Sequence, residues 1–177
     1  MDCFDAGAGT GGFYGSLRQQ GQDSPGRYVE DMKSDRAPKW DLHEMSPLLD
    51  SSDITVKEWN KIAKVVYDNY DNYDGFVVLH GTDTMAYTAS ALSFILHGLD
   101  KPVVLTGSQI PLSEIRSDGR DNLITSMLIA AEGVANEVCL YFSDELLHGY
   151  RAVKKSADQL VAFDSPHYPH LTDVGIS

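Results

Sequence analysis

Two hydroxyls and a carboxylate stand together at the end of a short apolar run in this chain. The run from Gly75 to His80 ends in Gly-Thr-Asp-Thr, residues 81–84, and a helix-like sequence follows from Met85. In α/β proteins, a polar tip between a strand and a helix lies at the carboxyl edge of a parallel sheet, where ligands bind. A helix N-cap needs only one such side chain, and capping is the simpler interpretation of the tip taken alone.

A hydroxyl, a lysine and a carboxylate in one place are typical of nucleophilic catalysis. A hydroxyl is a weak nucleophile until a base takes its proton. A lysine serves as that base when burial lowers the pKa of its ammonium group. The chain offers Lys154 and Lys155 after its last clear strand, and Asp83 would orient the lysine or bind a cationic group of a substrate. A solvated basic pair is the alternative interpretation of the two lysines.

Hydrophobic periodicity predicts the elements that would position these residues. A capping box at residues 55–58 opens a helix that places Val56, Trp59, Ile62, Ala63 and Val66 on one face. Apolar runs predict buried strands at 76–80, 102–106 and 137–142, and helical patterns cover 84–97 and 121–131. This alternation predicts right-handed crossovers and a parallel, three-layer α/β sheet of the Rossmann-like type.

The loops after successive strands of such a sheet meet at one edge. The predicted topology therefore brings together residues 82–84, residues 106–109 and the polar run that holds Arg151 and Lys154. Residues 50–53, with Ser51 and Ser52, precede the first helix and could join them. The chemistry of a helix-entry turn is the alternative interpretation of these serines.

The composition favours a soluble protein with one sizeable core and argues against several partners. The chain has 177 residues, 14 of them basic and 26 acidic, with a net charge of −12, whereas binding to nucleic acid or anionic membrane needs a basic surface. Cys3 and Cys139 are too far apart for a metal motif or a disulfide scaffold. No secretory signal and no run near the ~20 apolar residues of a membrane span is visible. A cytoplasmic protein without a nucleic-acid or membrane partner is therefore predicted.

Other motifs give weak signals. His167 and His170 flank Tyr-Pro, but a metal site would need a third ligand. The glycine-rich run at residues 7–12 has no predicted strand before it, so it does not fit a dinucleotide-binding fingerprint. His80 ends a buried strand and is interpreted as a core histidine. Residues 1–40 show no sustained period and are predicted to be irregular or disordered. No metal or cofactor is predicted.

Four runs of the chain share their order and spacing with one known family: residues 48–55, 80–86, 105–111 and 116–123. They resemble the bacterial-type L-asparaginases, and the cytosolic type I branch fits best. The resemblance implies that residues 41–177 form part of the N-terminal α/β domain of an asparaginase-type fold. The family's smaller C-terminal domain has no counterpart in this sequence, which suggests a chain truncated at both ends.

The resemblance also implies a site and a reaction. Thr82, Lys154 and Asp83 match the family's Thr–Lys–Asp triad, with Arg151-Ala152-Val153-Lys154 matching its Arg-x-x-Lys. Asp83 would also hold the α-ammonium of the substrate, and Ser51, with Ser52 beside it, its α-carboxylate. The family hydrolyses the side-chain amide of L-asparagine to L-aspartate and ammonia without a cofactor. Its members are homo-oligomers, dimers or tetramers, whose sites are completed across an intimate dimer.

One departure from the family lowers the activity expected of this chain. The family begins with an apolar strand that runs into Thr-Gly-Gly-Thr, whose last threonine is the usual acyl-forming nucleophile. The nearest string here is Thr-Gly-Gly-Phe, so Phe13 stands in that place and cannot be acylated. An inactive homologue that binds an amino acid or pairs with a full-length subunit is therefore the alternative. The amidase subunit of tRNA-dependent amidotransferases resembles the same motif, but the acidic charge argues against it.

Overall fold

Strands and helices alternate along most of the chain in the computed structural model, which describes residues 2–6, 38–45 and 51–173. The strands are β1 (Asp2–Ala6), β2 (Trp40–Glu44), β3 (Gly75–Leu79), β4 (Val103–Thr106), β5 (Val138–Phe142), β6 (Glu145–His148), β7 (Val153–Lys154), β8 (Phe163–Asp164) and β9 (Thr172–Asp173). The helices are α1 (Val56–Asn69), α2 (Met85–Ile95) and α3 (Gly119–Glu132), with short 3-10 turns at Ser51–Asp53 and Tyr70–Asn72.

Seven strands of the described part form one sheet in the order β2-β1-β3-β4-β5-β6-β9. The first five in this order run parallel, and β6 and β9 are added antiparallel. The chain moves from β1 outward to β2 and then returns to the other side of β1 at β3. The strand order therefore reverses between β1 and β3, and the carboxyl ends of strands at such a switch point form a ligand crevice in open α/β sheets.

Helices cover both faces of this sheet, as the alternation of elements predicts. Phe76 and Val78 belong to the core under α1 and α2, whereas Val77 and Leu79 belong to the core under α3. All five residues of β3 are buried, because a parallel strand between two helical layers has no solvent-facing side. The three-layer α/β prediction is confirmed.

The predicted capping box starts α1. The Thr55 hydroxyl accepts a hydrogen bond from the Lys57 amide at 3.3 Å, and the Glu58 carboxylate accepts one from the Thr55 amide at 3.1 Å. The apolar face of the helix buries Ile62, Ala63 and Val66. The placement of Val56 on that face was wrong, because its side chain is 60% exposed at the first turn.

The prediction of a purely parallel sheet misses the strand after β5. Ser143 and Asp144 both have positive φ, at 47° and 66°, and they form a two-residue turn from β5 into β6. A turn of this length joins only antiparallel strands, since a parallel connection needs a crossover of about a dozen residues. The sheet is therefore mixed beyond β5.

Residues 1–40, predicted to be irregular, contain a central strand of the sheet. The β1 backbone pairs with β2 on one side and with β3 on the other. Its sequence, Asp-Cys-Phe-Asp-Ala, gives no apolar run, so pairing between two neighbours defines the strand and local propensity does not. A strand thus precedes the glycine-rich run, contrary to the prediction. Residues 7–37, which include that run and Phe13, lie outside the described residues.

None of the helices in the described ranges combines the length and the apolar character needed to cross a bilayer.

Candidate active site

The Thr82–Asp83 tip follows β3 at the switch point of the sheet. His80 and Gly81 are buried behind it, Thr82 is half-buried, and the Asp83 side chain is 70% exposed. Thr84 precedes α2 but does not cap it with its side chain. Its hydroxyl instead donates a hydrogen bond to the Ser51 carbonyl at 2.6 Å. The tip therefore does more than start a helix.

The ammonium group of Lys154 contacts two residues of this tip. Its Nζ atom lies 2.9 Å from Thr82 Oγ1 and 2.8 Å from Asp83 Oδ1. The Lys154 side chain is only 19% exposed, whereas the Asp83 side chain is 70% exposed, so only the lysine end of the ion pair is shielded from water. Three residues named from the sequence are thus in direct contact, although more than seventy residues separate Lys154 from the tip.

Lys155, the alternative lysine, lies elsewhere. Its Nζ atom is 3.4 Å from Asp164 Oδ2. Successive residues of a strand point to opposite faces, which is why only one of two adjacent lysines reaches Thr82. The structure therefore favours Lys154 over Lys155 as the partner of the hydroxyl.

A small hairpin carries Lys154 to the tip. We call residues 153–164, which comprise β7, β8 and the loop between them, the lysine hairpin. Lys154 pairs with Phe163 across its two strands. The Phe163 ring is buried and packs edge-on against Phe142, with 5.1 Å between the ring centroids. Aromatic packing against the end of β5 thus anchors the strand that bears the lysine.

The loop after β4 approaches the tip closely, as the predicted topology requires. A Cβ atom added to Gly107 would lie 2.2 Å from the His80 carbonyl oxygen, so only glycine allows this contact. Thr106 is buried and its hydroxyl donates to the Tyr141 carbonyl at 2.9 Å, which ties β4 to β5. The ends of three neighbouring strands are thereby fixed to one another.

Ser51 also reaches the site, through its backbone. It is 3% exposed and lies in the 3-10 turn before α1, and its carbonyl accepts the Thr84 hydrogen bond described above. Ser52, the other predicted substrate-binding serine, is exposed. The predicted neighbourhood of Ser51 and the tip is present, and the ligand roles of both serines stay predictions.

His80 is buried, in agreement with its interpretation as a core histidine. Its Nδ1 atom lies 2.7 Å from the Gly81 carbonyl oxygen, and in the described part of the chain Nε2 has no hydrogen-bond partner. Complete burial lowers the pKa of His80 to about 4, because an apolar interior disfavours the charged imidazolium. The ring is therefore neutral at pH 7, with its Nδ1 proton directed to the loop that holds Thr82.

Arg151 lies beside the site without entering the cluster. Its guanidinium carbon is 5.2 Å from the Tyr150 ring centroid and 5.0 Å from that of Tyr168, an arrangement that favours a cation over each ring.

The histidines that were weighed as metal ligands do not form a metal site within the described ranges. His170 Nε2 lies 3.6 Å from Asp164 Oδ1. The described residues contain no group of three or more His, Cys, Asp or Glu side chains arranged to hold a metal ion.

A cavity of about 380 Å³ opens beside the cluster. Its walls come from the tip, from α2 and from the turn before β7, and they include Asp83, Ala86, Tyr87, Ser90, Tyr150, Arg151 and Lys154. Asp83 and Lys154 therefore line a space of the size that a small amino acid needs, whereas Thr82 and Ser51 are not among its lining residues. A larger cavity near the end of α2 is lined by none of the three clustered residues.

Several polar residues behind the cluster were given no individual role from the sequence, although Gln109 lies in the segment 106–109 that was predicted to reach the site. Gln109 contacts the lysine hairpin, and the buried Asn122 bonds to both the β4 and the β5 loops. Ser143, in the tight turn, bonds to the hairpin as well. The sequence signal for Gln109 and Ser143 was their position directly after strands, where a parallel sheet gathers its functional side chains.

Fold and site together define an α/β protein with a hydroxyl, an amine and a carboxylate at the switch point of its sheet. The family model described as asparaginase, N-terminal, matches residues 8–177. The chain belongs to the asparaginase family. The predicted family resemblance is thereby confirmed.

Individual relatives include proteins named as asparaginases and one with a different name. The chain is 55% identical to L-asparaginase 1 of Escherichia coli over 139 residues, which is 78% of this chain and 41% of the relative. It is 52% identical to the 60 kDa lysophospholipase of Mus musculus over 132 residues, 75% of this chain and 23% of that protein. The crystal structure of L-asparaginase I from Vibrio cholerae superposes with a TM-score of 0.84 at 41% identity, covering 99% of this chain and 54% of that one. The chain thus spans about half the length of its relatives, or less.

Proposed function

We propose that this chain carries the hydrolytic half-site of an L-asparaginase, which converts L-asparagine to L-aspartate and ammonia. The observation that carries the proposal is the placement of the Lys154 ammonium between the Thr82 hydroxyl, at 2.9 Å, and the Asp83 carboxylate, at 2.8 Å. A nucleophile, a proton carrier and an orienting acid within hydrogen-bond reach are the arrangement that hydroxyl attack on an amide requires. Membership of the asparaginase family supports the same reaction.

Phe13 stands where the family resemblance implies the acyl-forming threonine, so in this chain the Thr82 hydroxyl would have to act as the nucleophile. The reaction would then proceed in two steps. In the first, Lys154 in its amine form takes the proton of the Thr82 hydroxyl while the oxygen bonds to the amide carbon of the substrate. Lys154 then returns the proton to the departing nitrogen, and ammonia leaves an ester on Thr82. In the second step a water gives a proton to Lys154 and attacks the ester carbon. Lys154 passes this proton to the Thr82 oxygen as aspartate leaves, which restores the Thr82 hydroxyl and the amine form of Lys154.

The amino acid part of the substrate would be held by neighbouring groups. The Asp83 carboxylate is largely exposed, so an α-ammonium group can approach the oxygens that Lys154 leaves unused. Ser51, in the 3-10 turn before α1, contacts this tip through its backbone carbonyl, and its hydroxyl or that of Ser52 would bind the α-carboxylate. Contacts with the two charged groups on the α-carbon of the substrate would therefore fix its side-chain amide near Thr82.

A second candidate is binding without turnover, which the identity of residue 13 favours. Phenylalanine at this position supplies no hydroxyl where the family resemblance implies the acyl-forming threonine. An inactive homologue would still bind the amino acid, or pair with a full-length subunit. The tRNA-dependent amidase remains a less favoured alternative because of the net charge of −12.

The test is the release of ammonia and L-aspartate from L-asparagine by the purified 177-residue chain. We expect equal amounts of the two products. Both should be lost in Thr82→Val, which replaces the hydroxyl with a methyl group of similar size, and partly retained in Thr82→Ser, which keeps the hydroxyl. Stabilisation of the fold by L-asparagine without any product would favour the binding-only candidate. No product and no stabilisation in a folded sample would refute both.

Cytoplasmic localisation and a homo-oligomeric state belong to the same proposal. The cytoplasmic assignment rests on the resemblance to the cytosolic type I branch.

The homo-oligomeric state is supported by large apolar side chains on the outer face of α2, where Tyr87 is 70% and Phe94 75% exposed. These two residues lie two turns apart on one face of the helix, and large apolar residues exposed on one face are typical of association surfaces. Light scattering of the purified chain would test this, and a monomer at all concentrations would contradict it.

A further inference from the structure

The lysine hairpin carries Lys154 but has little stability of its own. Each of its strands is two residues long. The loop adds three backbone hydrogen bonds, from Lys155 and Ser156 to the Ala162 carbonyl at 2.7 and 3.3 Å and from Ala162 to the Leu160 carbonyl at 2.9 Å. The Ser156 hydroxyl also bonds to Asp158 and Gln159 within the loop. An isolated two-stranded hairpin is marginally stable at best in water. The position of Lys154 therefore depends on contacts from outside the hairpin. Packing of Phe163 against Phe142 supplies one such contact, at the strands of the hairpin. A second contact has to hold the loop between the strands.

Gln109 supplies the contact at the loop. Its side-chain nitrogen donates to the carbonyl of Ala157 at 3.1 Å and to that of Gln159 at 2.9 Å. Both hydrogens of the amide nitrogen are used in this way, and the two acceptors fix which end of the amide faces the loop. A single side chain thus fastens two points of the segment between β7 and β8.

The backbone of Gln109 is itself held in place by a carboxylate. Both oxygens of Asp118 accept from the Gln109 amide, at 3.1 and 3.0 Å, and one accepts from Ile110 at 3.0 Å. Charge-assisted hydrogen bonds of this kind are stronger than neutral ones. The Gln109 side chain therefore starts from an ordered loop, so less entropy opposes its two bonds to the hairpin.

A second set of hydrogen bonds to the hairpin loop runs through Asn122 on α3. Its side-chain nitrogen donates to the Gly107 carbonyl at 3.0 Å, and its oxygen accepts from the Ser143 amide at 3.2 Å. The Ser143 hydroxyl in turn donates to the Leu160 carbonyl at 2.7 Å. Loops after two adjacent strands of the sheet are thus joined to each other, and both hold the hairpin loop.

We propose that Gln109 is a positioning residue, which holds the lysine hairpin closed and thereby keeps the Lys154 amine at Thr82 and Asp83. The consequence for catalysis rests on the proposed asparaginase function, whereas the closing of the hairpin does not. Gln109 acts through the loop and makes no hydrogen bond to any of the three clustered side chains.

Trypsin tests the closed hairpin without requiring any activity. It cuts after lysine, and Lys154 and Lys155 lie at the start of the hairpin loop, so cleavage there reports its opening. We expect Gln109→Ala to be cut about tenfold faster at this site, because two hydrogen bonds are lost. Gln109→Glu should be cut at least as fast, since a carboxylate would face two carbonyl oxygens. Cleavage after Lys64, in α1, should not change.

Gln159→Ala is the matched control. It makes the same substitution on the hairpin loop itself but keeps the backbone carbonyl that accepts from Gln109. It should be cut at the wild-type rate. Equal cleavage of Gln109→Ala and the wild type at Lys154–Lys155 would overturn the proposal.

Two further measurements distinguish a role of Gln109 in positioning Lys154 from a role in stabilising the fold alone. If the chain releases ammonia, Gln109→Ala should lower kcat and leave KM nearly unchanged, because Ser51, Thr82 and Asp83 lie on other elements. An unchanged kcat in a variant with an opened hairpin would overturn the positioning role. If the wild type releases no ammonia, the proposed function fails, and amine labelling still decides the inference. Faster labelling of Lys154 relative to Lys155 in Gln109→Ala would support it, and an unchanged ratio would overturn it.

Discussion

The buried His80 should make the stability of this protein fall as the pH drops below about 6.5. Burial lowers the pKa of His80 from 6.5 in the unfolded chain to about 4 in the folded one. The unfolded state therefore binds more protons between these two values, and the free energy of unfolding rises with pH across this window. Below the pKa of His80 in the folded state, the whole contribution of this residue to the free energy of unfolding is lost.

The size of the effect follows from the two pKa values. A shift from 6.5 to about 4 corresponds to about 3 kcal/mol in total at 1.36 kcal/mol per pH unit. At pH 5 the unfolded histidine is almost fully protonated and the folded one is almost fully neutral, so the loss relative to pH 7.5 is about 2 kcal/mol. That is a large share of the 5–15 kcal/mol typical of a native domain.

Urea unfolding at pH 7.5 and at pH 5.0 measures this loss. His80→Asn is the matched variant, because its amide can keep the hydrogen bond to the Gly81 carbonyl but does not titrate. We expect the variant to be less stable at both pH values, since it leaves a cavity, and to lose about 2 kcal/mol less than the wild type between them. Equal losses in the two proteins would refute the reasoning, because carboxylates and surface histidines are common to both.

Two further substitutions test the elements that position the site. Thr55→Ala removes the capping box of α1 and should cost about 1 kcal/mol in urea unfolding; a cost near zero would show that the cap contributes nothing. Gly107→Ala places a Cβ atom 2.2 Å from the backbone oxygen of His80, which cannot move aside cheaply. It should lower the free energy of unfolding by about 1–3 kcal/mol and open the contact between the β3 and β4 ends. A melting temperature equal to that of the wild type would contradict this close approach.

Much of the central fold could be predicted from the sequence, because its signals are local. The capping box at Thr55 marks the start of α1, and the uninterrupted apolar residues of β3 and β4 mark strands buried on both faces. Because the carboxyl ends of parallel strands meet at one edge of a sheet, the loops at residues 82–84 and 106–109 were predicted to lie together at that edge. The family resemblance named Lys154, and the structure places its amine within hydrogen-bond distance of Thr82.

The remaining features depend on contacts between distant segments. β1 contains two aspartates and no apolar run, and it becomes a strand because β2 and β3 pair with it. The turn at Ser143–Asp144 lacks the Asn-Gly or Asp-Gly signal of a two-residue hairpin, so β6 was not foreseen. The lysine hairpin has only two residues in each strand, too few for any period. The bonds from Gln109 to that hairpin span about fifty residues and leave no local pattern.

The most direct test of the central claim compares Lys154→Met with Lys155→Met in the release of ammonia from L-asparagine. The two substitutions are chemically identical and affect adjacent residues, but only Lys154 contacts Thr82, whereas Lys155 pairs with Asp164. If Lys154 carries the proton of the attacking hydroxyl, its loss should reduce kcat by about 10²-fold or more, and Lys155→Met should stay near the wild type. Equal activity of a folded Lys154→Met variant and the wild type would contradict the account.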